Sequence, residues 1–579
     1  MTAFGRVISV RGSLARIGVL AAVQMPASEM RATVGRFVSI RCVNSTIVAM
    51  ITDVTCEDLP ASGNYIATAG VDLLGEILNG DRPKFQRGVT HYPTIGDAVE
   101  MITNQELRTV YAPSGSDQID VGTLQQDRSV TAYVDVEEML SKHFAVLGST
   151  GVGKSTGVSL LLNEILKARP NLRIFLLDVH NEYGRCFGER AVVLNPRNLK
   201  LPFWLFNFEE IVDVLFGGRP GVPEELEVLA EVIPQAKGLY TQYQNSDRGG
   251  LRRADTRSSG YTVDTPVPYR LVDLIALIDE RMGKLENRSS RIVYHKLISR
   301  IETVRNDPRY TFMFDNANVG GDTMADVLSY LFRLPANGKP MTVMQLAGFP
   351  AEVVDSVVSV LCRMAFDFGL WSDGVSPMLF VCEEAHRYAA ADRNIGFGPT
   401  RKAVSRIAKE GRKYGVYLGL ITQRPAELDA TIMSQCNTLF AMRLANERDQ
   451  ALMRSAVSDA AANLLSFVPS LGTREVLAFG EGVALPTRLR FKDVPPHQLP
   501  RSEATIATTP SVTAGHDLHF VAAVLERWRG ATSSRDAPND PGFNDRPVPR
   551  TLSSVEAPLL QPSQGLDPDR FSLLKKPLR

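Results

Sequence analysis

At 579 residues the chain is longer than one hydrophobic core sustains, so several domains are expected. Its 44% hydrophobic and 22% charged residues match globular protein with large buried cores. Lys+Arg and Asp+Glu balance at 64 each, which excludes a globally basic nucleic-acid binder and confines any such surface to a local patch, for instance inside a ring. The cysteines, Cys42, Cys56, Cys186, Cys362, Cys382 and Cys436, are scattered without a C-x-x-C pair or zinc spacing, as in reduced, buried thiols of a cytosolic protein. The start, MTAFGRVISVRG, has no charged-then-apolar leader layout and no run approaches 18 apolar residues, so the expectation is a cytoplasmic protein outside the membrane.

From Gly5 to about Val134, short β-type runs alternate with Gly, Pro, Asn and Asp: Arg6 to Val10, Ala15 to Leu20, Arg36 to Arg41, Thr46 to Asp53, Asp72 to Leu78 and Ala98 to Thr103. That spacing predicts a small barrel or sandwich serving assembly or docking, with His91 in a turn as a structural residue.

His143 to Thr156, HFAVLGSTGVGKST, changes the chemistry. Phe144 to Leu147 reads as a buried strand, Gly148 to Gly153 as a loop, and Thr156 onward as a helix. Gly148, Gly153, Lys154 and Ser155 fit G-x-x-x-x-G-K-[ST], whose backbone N–H groups wrap phosphates while the lysine reaches the outer phosphates and the hydroxyl ligates Mg²⁺. The candidate ATP-binding residues are therefore Gly148, Ser149, Thr150, Gly151, Val152, Gly153, Lys154, Ser155 and Thr156, the last placed for the α-phosphate at a helix N-terminus.

A helix from Gly157 to Lys167 and an apolar strand from Arg173 to Asp178 complete a βαβ unit, so a parallel sheet with its ligand at the carboxyl ends of the strands follows. DVHNEY continues from that strand and brings Asp178, His180 and Glu182 to the same edge as a possible additional site. Residues 206–335 read as a helical insertion, containing a Gly/Ser/Asp/Arg-rich loop with Arg248, Arg252, Arg253 and Arg257, a solvated charge run or a nucleic-acid contact.

The sheet resumes at Met341 to Leu346 and at PMLFVCE, which runs into Glu383 and Glu384. Phosphoryl transfer asks for positioning and charge neutralisation. Glu383 is placed to bind Mg²⁺ through water together with Ser155, and Glu384, one residue past the strand, to orient the attacking water. His386 is either a polar link near that water or a structural histidine. Val416 to Thr422 is a strand that delivers Gln423 to sense the γ-phosphate. The preceding segment carries Lys402, Arg406, Lys409, Arg412 and Lys413, a solvated face or a source of an arginine for a neighbour's ATP or for DNA phosphates. Further strands are expected at Thr438 to Arg443 and Glu475 to Phe479, then a helix at Leu518 to Arg529 and a disordered or strap-like tail.

GSTGVGKST, DVHNEY, LFVCEEAH and RIAKEGRKYGVYLGLITQRP, in this order behind a β-domain, resemble the HerA ATPases of the HerA/FtsK superfamily over about residues 5 to 500. The resemblance implies an α/β RecA-like P-loop ATPase core with helical insertion, preceded by a small all-β barrel (HAS-barrel) at 1–135, spanning 136–500, and followed by a C-terminal extension at 501–579. It implies a homo-oligomeric, hexameric ring that moves double-stranded DNA with ATP and Mg²⁺, with Glu384 as catalytic acid, Gln423 as sensor, and Arg412 or Arg406 as the arginine acting in trans. Two positions depart from the family pattern. Glu383 stands where Asp is frequent, lengthening the reach to Mg²⁺ by a methylene, and Asn181 stands where D-x-H-G-E-Y has Gly, a residue type that tolerates the left-handed backbone. No nuclease cluster is present, so cutting falls to a partner. The alternative is an ATPase scaffold for a sirtuin-type NAD hydrolase or nuclease effector in antiviral (anti-phage) defence.

Overall fold

The computed structural model describes residues 3–20, 33–56, 65–80, 83–113, 115, 117–246, 260–284, 288–315, 317, 321–393, 396–456, 463–501, 521–522 and 525–526. The arginine-rich loop at 248–257, nearly all of the expected helix at 518–529, and the tail lie outside the described residues.

Seven strands form the first sheet: β1 (Gly5–Arg11), β2 (Leu14–Leu20), β3 (Phe37–Arg41), β4 (Ser45–Thr55), β5 (Tyr65–Leu78), β6 (Lys84–Arg87) and β7 (Ala98–Met101). The order β2-β1-β7-β3-β4-β5-β6, with β2 also paired antiparallel to β5, closes six of them into a barrel and appends β6. Alternating apolar residues such as Val7, Ile17, Val38, Ile40, Ile47 and Val71 fill its interior. His91 lies in a turn with Nδ1 3.3 Å from the buried Glu76 carboxylate, a structural setting.

The second sheet has eleven strands: β8 (Gln118–Leu124), β9 (Thr131–Asp135), β10 (His143–Leu147), β11 (Arg173–Asp178), β12 (Ala191–Leu194), β13 (Met341–Gln345), β14 (Met378–Cys382), β15 (Val416–Thr422), β16 (Cys436–Ala441), β17 (Glu475–Gly480) and β18 (Thr487–Phe491). Its order is β12-β13-β11-β14-β15-β10-β16-β17-β18-β8-β9. Pairing is parallel from β12 to β16 and antiparallel from there to β9. The parallel strands β10, β13 and β14 are buried at every position, because helices cover both faces.

The expected barrel segment 1–135 therefore splits. Residues 118–135 join the ATPase sheet, since β8 bonds to β18 through pairs such as Leu124↔Leu489, and a local pattern of strand residues carries no information about a partner so distant in sequence. The barrel is attached through contacts such as Arg87 Nη2 donating to the Gly480 carbonyl at 2.7 Å.

Helices from Phe208–Phe216 to Met324–Phe332 lie between β12 and β13. The first starts on a capping box, with Asn207 accepting from the Glu210 N–H and Glu210 accepting from the Asn207 N–H, and ends at Gly217 in the left-handed conformation (φ 62°). Among the described residues no helix is long and apolar enough to cross a membrane.

Candidate active site

The carboxyl edge of the parallel strands presents, in spatial order, Gln345, Asp178, Glu383, Gln423 and the loop after β10. β15 stands between β14 and β10, with Cys382 paired to Leu420 and Leu147 to Thr422. Gln423 thus emerges between the phosphate loop and the two glutamates.

The loop 148–153 is set by glycine conformations and by backbone partners from far along the chain. Gly151 (φ 76°) and Gly153 (φ 92°) adopt conformations that side chains disfavour, and a Cβ on Gly153 would meet Arg474 Cγ at 2.9 Å. Gly148 N–H donates to the Thr422 carbonyl at 3.3 Å, Ser149 N–H and Oγ donate to the Arg443 carbonyl at 3.0 Å, and Arg474 N–H donates to the Val152 carbonyl at 2.9 Å. The helix Lys154–Ala168 then starts without a side-chain cap, leaving its first N–H groups free for an anion.

Lys154 is 7% exposed and its Nζ lies 3.8 Å from Glu384 Oε1. Burial pulls its ammonium below the usual lysine range, opposed by Glu384, Glu383 and Glu182. Glu383, 2% exposed, has its acid form favoured by burial and then by Asp178 and Glu182, which push its carboxyl up to about 8, although Val179 N–H donates to Oε2 at 3.1 Å. Glu384 leaves β14 in the left-handed conformation (φ 48°); His180 Nε2 lies 3.8 Å from its Oε1 and His386 Nδ1 3.3 Å from its Oε2.

Asp178, His180 and Glu182, the possible additional site, lie beside Glu383 and Glu384. Asp178 is fully buried and accepts the N–H groups of Glu182 at 3.0 Å and Tyr183 at 2.9 Å, so it holds the turn; burial raises its carboxyl to about 6. The turn passes through Asn181 at φ 55°, the left-handed conformation expected where the resembling sequences carry glycine.

Arg406 and Arg412 do not converge on the phosphate loop of their own chain. Arg406 stacks over Phe366 at 4.0 Å and pairs with Asp367 at 3.2 Å, while Arg412 lies exposed in the turn Gly411–Tyr414 that enters β15 at its amino end, the opposite edge of the sheet. The helix Gly398–Glu410 runs back against β15, so residues near its carboxyl end are carried away from the ligand edge.

Sequence reasoning missed two contributors. Thr422 is fully buried; its Oγ1 lies 3.0 Å from His386 Nδ1 and accepts the Arg424 N–H at 3.0 Å. A hydroxyl ending an apolar strand just before Gln423 was the available signal. Arg474, left-handed at φ 65°, supports the loop through its backbone, and no sequence signal marked it.

The residues fit a magnesium nucleotide. The carboxylates of Glu383 and Asp178 are buried beside one another, and buried Glu384 Oε2 has no hydrogen-bond partner. Among the described residues no group of three or more His, Cys, Asp and Glu is placed to hold a metal ion.

Residues 119–365 match the family described as helicase HerA, central domain. A probable helicase of Methanocaldococcus jannaschii is 26% identical over 460 residues, covering 75% of this chain and 81% of that protein. The DNA double-strand break repair helicase HerA of Pyrococcus furiosus is 25% identical over 468 residues, covering 75% of this chain and 79% of that protein. Among solved structures, VirB4 of Thermoanaerobacter pseudethanolicus shares 17% identity over 66% of this chain and 97% of that chain at a TM-score of 0.41. With a phosphate loop, paired acids and a glutamine strand end gathered on one sheet edge, these matches support a HerA-type ATPase.

Proposed function

We propose that the chain is an ATP-driven motor that moves double-stranded DNA, working as a homo-oligomeric, hexameric ring with a HAS-type barrel as its docking module. The observation that carries the reading is the convergence of Lys154, Glu383, Glu384 and Gln423 at one edge, in a chain whose relatives bear helicase names.

ATP binds with its phosphates on the N–H groups of residues 149–156, drawn there by the helix N-terminus and Lys154. Ser155 Oγ and, through water, Glu383 would hold Mg²⁺, which when bound neutralises phosphate charge. Glu384 accepts a hydrogen bond from the attacking water and turns its oxygen toward the γ-phosphate. Gln423 donates its amide to the γ-phosphate and registers its loss. Arg412 or Arg406 of a neighbouring copy completes the charge balance from outside, since neither reaches its own loop.

The test is phosphate release with and without duplex DNA, together with displacement of a DNA-bound roadblock. Stimulation by duplex and directional displacement are expected. ATP turnover indifferent to duplex, appearing only with a partner nuclease or sirtuin-type effector, would replace the motor with a scaffold.

A further inference from the structure

Glu384 sits in a conformation that a residue bearing a Cβ adopts at a cost, and such strain persists where surrounding structure holds it. Its Oε1 faces Lys154 and His180, each at 3.8 Å. Its Oε2 is buried without a hydrogen bond and faces His386 Nδ1 at 3.3 Å. The same Nδ1 is 3.0 Å from Thr422 Oγ1. Thr422 in turn accepts the Arg424 N–H on Oγ1 and the Gly148 N–H on its carbonyl. One imidazole nitrogen therefore touches the acid on one side. On its other side is the residue that precedes Gln423 and is bonded to the first glycine of the phosphate loop.

A buried carboxylate oxygen that has an imidazole nitrogen beside it but accepts no hydrogen bond is costly and calls for a state in which it is used. When ATP fills the loop, Lys154 turns to the phosphates and Glu384 loses its ammonium neighbour. The groups left at the carboxylate are His180 on Oε1 and His386 on Oε2.

We propose that His386 is the positioning residue of Glu384, coupling the carboxylate to the Thr422–Gln423 strand end so that the acid aligns on water when a γ-phosphate engages Gln423. The proposal rests on the roles given above to Glu384 and Gln423. It assigns His386 no contact with ATP, so its loss acts on turnover and leaves binding alone.

The test uses the full chain, with steady-state phosphate release and equilibrium titration with mant-ATP. His386→Ala is expected to lower kcat on the order of 10–100-fold, with KM and mant-ATP affinity within about twofold, as misplacement of a catalytic group does. His386→Asn, whose amide occupies the place of Nδ1, is expected to recover most of that loss. Thr422→Val, matched in volume and lacking Oγ1, is expected to share the defect and to add little to it in the double variant. The proposal is overturned by a His386→Ala kcat within about twofold of the parent, by additive losses in the double variant, or by equal loss of turnover and mant-ATP binding in the Ala and Asn variants. Should His386→Ala not fold, Thr422→Val alone decides, by whether kcat falls while binding holds. Glu384→Gln measured in parallel separates the two levels: normal turnover there removes the role of Glu384 itself, whereas an inactive Glu384→Gln beside a normal His386→Ala removes only the coupling.

Discussion

Lys154 Nζ and Glu384 Oε1 stand 3.8 Å apart, with side chains 8% and 7% exposed. The ammonium meets a carboxylate where phosphates will lie, so nucleotide binding exchanges one anionic partner for another. Glu384→Gln removes the competitor and the water-orienting oxygen together. ATP binding should stay equal or tighten, while phosphate release falls on the order of 10²–10⁴-fold, the range for a lost general base. Lys154→Ala should lose mant-ATP binding. Near-normal turnover of Glu384→Gln would refute the assignment.

The arginine question is one of geometry. Arg406 is engaged with Phe366 and Asp367 within its own chain, whereas Arg412 is exposed at the sheet edge opposite the phosphate loop. Mixing Arg412→Ala subunits with Lys154→Ala subunits should restore some activity, because a ring then contains sites with an intact loop facing an intact arginine. Arg406→Ala, by contrast, should lose stability of about 0.5–1 kcal/mol from its exposed stacking contact. Absence of rescue at every mixing ratio would exclude Arg412 as the trans group.

His143, at the start of β10, has its tautomer fixed by two backbone bonds. Leu418 N–H donates to Nδ1 at 3.0 Å, so the proton sits on Nε2 and donates to the Ala408 carbonyl at 2.9 Å. Burial holds the imidazole down to about 4 from an ordinary 6.5. The unfolded chain therefore takes up this proton first as pH falls. The stabilisation from the neutral ring is complete above 6.5 and is lost between 6.5 and 4, about 3 kcal/mol over that window. His143→Asn should be less stable than the parent at pH 7, and the gap in urea midpoints should close as pH approaches 4. A constant gap would contradict the buried neutral ring.

The insertion is fastened to the core by an ion pair. Arg363, on the helix Ala351–Trp371, donates from Nη2 to Glu210 Oε2 at 2.8 Å and to the Leu205 carbonyl at 2.6 Å, and Ser359 Oγ donates to Glu210 Oε1 at 2.8 Å. Glu210 is fully buried and also caps its own helix. Glu210→Ala should cost about 1.5–3 kcal/mol, the worth of charged hydrogen bonds, because the half-buried Arg363 keeps only the Leu205 carbonyl and Asp367 at 3.9 Å. Denaturant unfolding measures it, and limited proteolysis should show the insertion cut first.

The phosphate loop and the strands β10, β11, β14 and β15 were legible because parallel strands covered on both faces are continuous apolar runs ending in polar site residues. β12 escaped notice: AVVL is four residues long and only half-buried along most of its length. β8, β9 and β18 hid their membership, since strand alternation reports burial and says nothing of which strand lies alongside. At the candidate site, Lys154, Ser155, Glu383 and Glu384 are offered by motif and Gln423 by its place at a strand end. Thr422 and Arg474 act through a buried hydroxyl and a backbone N–H, for which residue type is a poor guide.

The loop that grips phosphate is completed by carbonyls and an N–H from residues 422, 443 and 474, and β8 by pairing with residues 489–491. On a ribosome the chain emits its GKST signature more than three hundred residues before the last of these partners exists. Contacts of such long range are slow to form. A polypeptide that ends before residue 474 therefore carries the signature without the N–H that the Val152 carbonyl accepts in the finished fold.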